Sequence, residues 1–494
     1  MSDRKFLERT LLASALALAA PMLAPVAAQA QQIQAAPPAG APISFADLIE
    51  RVRPAVVSIA VRQRPDSANA GGADGAPPGF EDFFRGPRGG GGARPGPMSL
   101  GSGFIINADG VVVTNHHVIE GAEQITVRTS DGRELQAEVV GSDEPTDIAV
   151  LRIRGGGRFP FVSFDRTPDV RVGDWVVAVG NPFGLDGTAT AGIVSAQGRR
   201  DFGSSAYVDF LQIDAPINRG NSGGPTFDLR GRVIGVNSAI FSPTGGNVGI
   251  GFAIPADVAS RIVDQLLASG HVTRGWLGVQ VQPLDNDLAR SLGLPNSHGA
   301  LVASVVPDSP AAQGGLQQGD VILSFEGEQL QDSRDLTQRV GAFGTNRSAR
   351  LHIQRAGAAR DITIRLAERP AEQVLASTGG GQQAPQAPGT PPAAASGPLG
   401  ATVRAITPED RARFNDLQPT EAGLVVVTLQ PTSDLAEKGV RPGDLILQAG
   451  GTPMRTTADL DAAVAEARRA GRPLLLQIAS RGGRRYVAVE TGQG

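Results

Sequence analysis

The sequence contains no cysteine, which excludes disulfides, thiolate metal sites and a thiol nucleophile. An excess of positive charge is also missing. Lys and Arg number 45 against 49 Asp and Glu, for a net charge of -4, so the electrostatic footprint of a nucleic-acid binder is absent and partners are expected among proteins and peptides. Aromatic residues are scarce, at 4 % of the chain, whereas 64 Gly and 36 Pro imply many turns and at least one flexible segment. Long hydrophobic runs are lacking as well. The apolar stretch Leu11 to Ala20 is broken by Pro21 and Pro25, short of the roughly 20 apolar residues that cross a bilayer. With Arg4 and Lys5 before it and Ala28-Gln29-Ala30 followed by Gln31 after it, it reads as a cleavable secretory signal over residues 1–30. A retained membrane anchor is the alternative, so membrane association is left open.

A chain of 494 residues exceeds a single hydrophobic core. Short β-type runs recur at Ala55–Val61, Gly103–Ile106, Val111–Thr114, Ile125–Arg128, Ile148–Ile153, Trp175–Val179, Val233–Val236 and Ile250–Ile254. Separated by Gly, Asp and Asn turns, they predict an antiparallel sandwich or barrel rather than alternating β/α units. A Gly/Pro-rich stretch over 64–97 interrupts this region as a long mobile loop, and a helical pattern from Pro255 to Leu267, with Gly270 near its end, closes it. Farther on, Gly315-Leu316-Gln317-Gln318-Gly319-Asp320-Val321-Ile322-Leu323 recurs as Gly439-Val440-Arg441-Pro442-Gly443-Asp444-Leu445-Ile446-Leu447, and Asp335-Leu336 as Asp459-Leu460 at the same separation. This marks a duplicated domain. Between the copies, 378–397 is a Gly/Gln/Pro/Ala tract unable to bury a core, hence a tether.

The strongest chemical signal is Gly220-Asn221-Ser222-Gly223-Gly224. A serine between glycines can stand at the tip of a tight loop while the amides of Gly220 and Ser222 converge on one point, as stabilising a tetrahedral oxyanion requires. A nucleophilic serine needs a base. Of the five histidines, His271, His298 and His352 fall in or beside the repeats, whereas His116 and His117 follow a strand-like run in the same region as Ser222. A third group must hold the imidazole's tautomer. Asp147 opens an apolar run and can be drawn under a sheet, whereas Asp143 is expected to be solvated in its turn. The order His, Asp, Ser is that of chymotrypsin-like enzymes. The Gly-x-Ser-x-Gly spacing of lipases and esterases is also present, but no strand-turn-helix context or downstream histidine accompanies it. Gly180-Asn181-Pro182-Phe183-Gly184 lacks the spacing of a nucleotide loop, and His117 with Glu120 lacks a second histidine for zinc, so neither a cofactor nor a metal is expected.

Taken together, Gly101-Ser102-Gly103-Phe104-Ile105-Ile106, Thr114-Asn115-His116-His117-Val118, Thr146-Asp147-Ile148-Ala149-Val150-Leu151, Gly180-Asn181-Pro182-Phe183-Gly184 and Asn218-Arg219-Gly220-Asn221-Ser222-Gly223-Gly224-Pro225 resemble the HtrA/Deg family of serine proteases. The resemblance implies a mainly β protein, in which a chymotrypsin-like double β-barrel is followed by two PDZ domains. It places the protease at 31–270, the PDZ domains at 271–370 and 398–491, and a linker at 371–397. It implies His117 rather than His116 as base, Asp147 as orienting acid, Ser222 as nucleophile, and Gly220 with Ser222 as oxyanion hole. Trp276-Leu277-Gly278-Val279 matches the loop that holds a peptide carboxylate, with the helix around Ser333 to Val340 as the other wall. Leu399-Gly400-Ala401 in the second copy is a poorer match. Segments resembling the specificity loops, 215–219 and 239–241, offer no carboxylate, and with Ile240 on the pocket wall the resemblance implies cleavage after small aliphatic residues. Asp214 is expected to serve loop structure. The implied setting is the periplasm, the partners are unfolded proteins and C-terminal peptides, and the assembly is a homotrimer or larger. A non-enzymatic holdase is the alternative, disfavoured because all three triad members stand in matching contexts.

Overall fold

Short runs of Val, Ile, Ala and Thr close into two antiparallel barrels in the computed structural model, which describes residues 44–63, 98–181, 187–200, 205–218, 220–242, 247–370, 398–411, 414, 417, 421–480 and 483–491. The first barrel comprises β1 (Val56–Gln63), β2 (Met98–Ile105), β3 (Val111–Thr114), β4 (Ala122–Arg128), β5 (Glu134–Asp143) and β6 (Ile148–Ile153), in the order β1-β2-β3-β6-β5-β4. Its core contains Val57, Ile59, Ile105, Val112, Ala149 and Leu151. The second comprises β7 (Trp175–Gly180), β8 (Thr188–Arg199), β9 (Phe210–Ile213), β10 (Pro225–Phe227), β11 (Val233–Ile240) and β12 (Gly251–Pro255), in the order β10-β11-β12-β9-β8-β7. Val176, Ala178, Ile213, Ile217, Ile234 and Ile240 fill it.

The sequence-predicted runs fall on β1 to β4, β6, β7, β11 and β12. The remaining strands lie outside them. β5 (ELQAEVVGSD) is polar and largely solvent-facing over its first half, and β8 (TATAGIVSAQGR) is rich in small and polar residues. The expected helix is Ala256–Ser269, which buries Ala259, Ile262, Val263 and Leu266 and ends at left-handed Gly270, whose N–H donates to the Leu266 carbonyl. The signal segment, the 64–97 loop and the 371–397 linker lie outside the described residues. Among the described residues, no helix is long and apolar enough to cross a membrane.

The duplicated motif produces two copies of one sheet. The first contains β14 (Val279–Pro283), β15 (Ala300–Val305), β16 (Val321–Phe325), β17 (Glu328–Gln329), β18 (Ser348–Arg355) and β19 (Ala358–Arg365), ordered β14-β15-β16-β18-β19. A small ladder of β13 (Gly275–Trp276) with β20 (Ala367–Glu368) joins its ends. The second repeats the order with β21 (Ala401–Ala405), β22 (Leu424–Leu429), β23 (Leu445–Ala449), β25 (Leu474–Ser480) and β26 (Gly483–Val489), β24 (Thr452–Pro453) pairing with β23. The repeated Gly-Asp turn has one job in both copies. Asp320 accepts a hydrogen bond from the Gln317 amide at 2.7 Å, and Asp444 accepts one from the Arg441 amide at 3.0 Å, each side chain closing the turn before a buried strand.

The first repeat is fastened to the barrels by charge. Arg274 forms a bidentate pair with Asp143 at 2.7 and 2.6 Å, with the two side chains only 10 % and 6 % exposed, and its guanidinium lies 4.4 Å from the centre of the Tyr207 ring. Asp143 is therefore buried and paired rather than solvated, contrary to the sequence expectation, because a residue far along the chain reaches it. Arg334 extends the junction, donating to Asp209 at 3.1 Å and to the Val208 carbonyl at 2.5 Å. Arg274→Ala leaves a carboxylate buried without its counter-charge, and should lower unfolding stability by about 3 kcal/mol in denaturant titrations.

Candidate active site

The loop between β5 and β6 is built to turn one carboxylate back on the barrel. Asp143 caps a 3-10 turn, Glu144–Thr146, by accepting from the Thr146 amide at 3.2 Å, and Pro145 stiffens it. The turn ends at Asp147 in the left-handed region (φ 55°), a conformation that aspartate tolerates better than most side chains. Asp147 then grips the start of the short helix His116–Ile119. Its carbonyl accepts from the Asn115 side-chain amide at 2.9 Å and from the His116 amide at 3.2 Å, and its Oδ1 accepts from the His117 amide at 3.0 Å.

The imidazole of His117 meets the same carboxylate, Nδ1 lying 2.9 Å from both Oδ1 and Oδ2. An ionised carboxylate offers no proton, so Nδ1 is the donor and Nε2 is left as the basic nitrogen. His116 points elsewhere, its Nδ1 lying 3.2 Å from Ser142 Oγ. Ser238 of β11 donates its hydroxyl to Asp147 Oδ2 at 2.8 Å. Burial pushes the Asp147 carboxyl up, but the facing His117 charge, the two His117 hydrogen bonds and the Ser238 hydroxyl outweigh it and hold the group below its ordinary value.

Ser222 is buried in a loop held from both barrels. Ser102 of β2 donates its amide to the Ser222 carbonyl at 2.9 Å, while the Gly223 amide donates to the Asn237 carbonyl of β11 at 2.8 Å. Gly223 must be glycine. Its φ is 82°, and a Cβ there would lie 2.3 Å from both the Ser102 carbonyl oxygen and Thr114 Oγ1. This contact sets the serine loop against the end of β3, two residues before the His116–Ile119 helix begins to carry its imidazoles. The structure thus places Ser222 and Gly220 on one loop, across the seam from His117 and Asp147.

Ile240 is 5 % exposed and packs with Ile213 and Ile217 in the second barrel, so the segments expected to shape the pocket share an aliphatic cluster. Asp214 accepts from the Ile193 amide at 2.6 Å, which ties it to β8. In the first repeat, Trp276 and Val279 are half-buried and Leu277 is packed in the core, while Gly278 adopts φ 80° with the Ser309 side chain 2.2 Å from where a Cβ would stand. Among the described residues, no group of three or more His, Asp or Glu could hold a metal.

Sequence reasoning missed Ser238, Asn237 and the role of Ser102. The adjacent pair Asn237-Ser238 interrupts the apolar run Val233–Ile240, and a buried polar pair in such a strand is the signal that could have found it. The lowered pKa of Asp147 has a consequence for stability against pH. Ionised Asp147 contributes its full stabilisation above about pH 3.9, the ordinary aspartate value, and loses it as pH falls through the depressed one. In Ser238→Ala, which deletes one donor to the carboxylate, the Asp147 carboxyl resonance should titrate at higher pH than in the parent when followed by carbon NMR.

The comparisons agree with this architecture. A trypsin-like peptidase domain model matches residues 101–236, and a PDZ domain model matches 275–366. A probable periplasmic serine endoprotease DegP-like of Brucella suis biovar 1 (strain 1330) is 43 % identical over 515 aligned positions, covering 98 % of this chain and 96 % of that protein. One of the same description from Rhizobium meliloti (strain 1021) is 41 % identical, covering 91 % and 92 %. Among solved structures, the HtrA-type protease AlgW with tripeptide superposes with a TM-score of 0.57 at 39 % identity, covering 67 % of this chain and 99 % of that one. With a peptidase barrel pair, a PDZ domain and this likeness over nearly its whole length, the chain belongs to the HtrA-type, DegP-like family and is a serine endopeptidase.

Proposed function

We propose that the protein hydrolyses unfolded or damaged envelope proteins without ATP, using Ser222 as nucleophile, His117 as general base and Asp147 as the group that orients it. The observation that carries this reading is the Asp147 carboxylate, held between the His117 imidazole at 2.9 Å and the Ser238 hydroxyl at 2.8 Å. With Nδ1 committed to Asp147, His117 Nε2 takes the Ser222 proton as Oγ attacks the scissile carbonyl. The imidazolium that forms is stabilised by the carboxylate and returns its proton to the leaving amine. Water then repeats the sequence on the acyl-enzyme. The Gly220 and Ser222 amides receive the oxyanion, and the polypeptide is the sole reactant besides water.

Substrate or activator peptides would enter the first PDZ domain as an added strand along β14, between it and the helix Ser333–Phe343, with Trp276, Leu277, Gly278 and Val279 at the terminal carboxylate. The HtrA-type protease AlgW, solved with a tripeptide and with a decapeptide, supports peptide binding. The remaining elements of the reading follow the family: removal of residues 1–30 on export to the periplasm, a protease domain over 31–270, PDZ domains over 271–370 and 398–491, a homotrimer or larger assembly, and chaperone activity beside proteolysis. Hydrophobic cores in the two barrels and in each repeat support those domain limits, while a further buried cluster of Leu284, Leu288, Leu301, Val321, Tyr486 and Ala488 joins the two repeats.

Purified mature protein should cut unfolded casein in the absence of ATP, and Ser222→Ala should abolish cleavage while leaving the fold intact. His117→Ala should lose roughly as much, several powers of ten, because the triad acts as a unit. His116→Ala should fall by less than about tenfold, since its imidazole faces Ser142. A reversed ranking of the two histidines rejects the assignment.

Digest mass spectrometry should place most cuts after Val, Ile, Ala and other small aliphatic residues. Each methylene matters by only about 1–3 kcal/mol, so the preference will be graded. Asp214 is engaged by the Ile193 amide and should leave the pocket without a carboxylate. A majority of cuts after Lys or Arg contradicts this.

A further inference from the structure

Ser102 has no exposed surface, lies on the inter-barrel seam, and uses every hydrogen-bonding group it has. Its amide donates to the Ser222 carbonyl at 2.9 Å, and its carbonyl accepts from Thr114 Oγ1 at 2.7 Å. Its hydroxyl accepts from the Asn181 amide at 2.8 Å and donates to the Gly220 carbonyl at 2.5 Å. A hydroxyl carries one proton. With the Asn181 N–H on one lone pair, that proton is directed at Gly220, so the Ser102 rotor is fixed rather than free to choose a partner.

The two carbonyls that Ser102 holds are not arbitrary. The Gly220 carbonyl belongs to the peptide plane leading into Asn221, and the Ser222 carbonyl to the plane leading into Gly223. Between them lies the Asn221–Ser222 peptide, whose N–H is one of the two oxyanion donors in the reading above. The other donor, the Gly220 N–H, is joined to the held Gly220 carbonyl through a single φ, ψ pair, here at φ 94°. Fixing the flanking planes therefore limits where both donors point. Turning the Gly220 carbonyl away would strip the buried hydroxyl of its acceptor, an arrangement folded proteins avoid.

We infer that Ser102 is a positioning residue for hydrolysis: its hydroxyl and amide lock the serine loop in the orientation that aims the Gly220 and Ser222 amides at the developing oxyanion. It touches neither substrate nor reacting atoms. The inference rests on the proposed roles of Ser222 and its neighbours. Ser102→Ala removes the Oγ link to Gly220 and Asn181 but keeps both main-chain bonds, so the loop remains attached and loses only its orientation.

The test measures kcat and KM on a peptide substrate, affinity for a peptide boronate that mimics the tetrahedral state, and the thermal midpoint. It compares the parent, Ser102→Ala, Ser260→Ala and Ser222→Ala. Misplaced donors cost transition-state stabilisation without ground-state binding, so Ser102→Ala should lower kcat about ten- to a hundredfold with KM unchanged, and weaken the boronate by a similar factor. Ser260→Ala deletes the hydroxyl of another buried serine, on the helix Ala256–Ser269, whose Oγ donates within its own helix to the Asp257 carbonyl. It should alter the thermal midpoint while leaving kcat and boronate affinity within about twofold of the parent.

Two results overturn the inference. One is a Ser102→Ala protein with parental kcat and boronate affinity beside an inactive Ser222→Ala. The other is a Ser102→Ala loss that Ser260→Ala reproduces, which would make it a general effect of losing a buried hydroxyl. An active Ser222→Ala protein instead removes the underlying reading, a result distinguishable from both.

Discussion

The carboxylate of Asp147 is shared by two barrels whose cores are otherwise separate. It belongs to the first through its chain and through the imidazole and amide of His117, and to the second through the hydroxyl of Ser238. The same seam is crossed at Ser102–Ser222 and at the close approach of Gly223 to Thr114. On β11, neighbouring residues divide the work. The Asn237 carbonyl holds the serine loop, and the next side chain, Ser238, holds the acid. A one-residue slip of β11 would break both contacts at once, so strand register and site geometry are one constraint. All of β11 is buried, and its pairing with β12 shifts register between Asn237 and Ala239, around Ser238.

Much of this was legible in the sequence where chemistry or periodicity is local. The Gly-flanked Ser222, the paired histidines after a β-type run and Asp147 at the head of an apolar one could be read one segment at a time. The repeated Gly-x-x-x-Gly-Asp turn could be read from self-similarity alone. β5 and β8 were not legible, because their outward residues are polar or small and their pairing is decided by neighbours rather than by composition. Asp143 was misread for the same reason. An aspartate in a Glu-Pro-containing turn looks solvated until Arg274, distant in sequence, is brought against it. Ser102 stands at the same limit, since nothing local distinguishes a buried serine that bonds across a seam from one that merely fills space, whereas Ser238 is marked only by interrupting an apolar strand.

The junction with the first repeat has a different character from the seam. It is fastened by guanidinium contacts to carboxylates and to a ring, from Arg274, Arg334 and Arg200. Such a contact is specific in direction but draws little on the hydrophobic effect, as inter-domain contacts within one chain commonly do. The barrels and the first repeat each have a core of their own, and these charged contacts tie them to one another.

The seam also separates the site by order of appearance. His117 and Asp147 belong to the first barrel, whereas Ser222, Asn237 and Ser238 arrive only with the last strands of the second. A chain emerging from a ribosome presents His117 and Asp147 long before Ser222, and Asn237 and Ser238, which fasten the two sides together, later still. Until β11 and β12 close the second barrel, no partial chain holds the constellation.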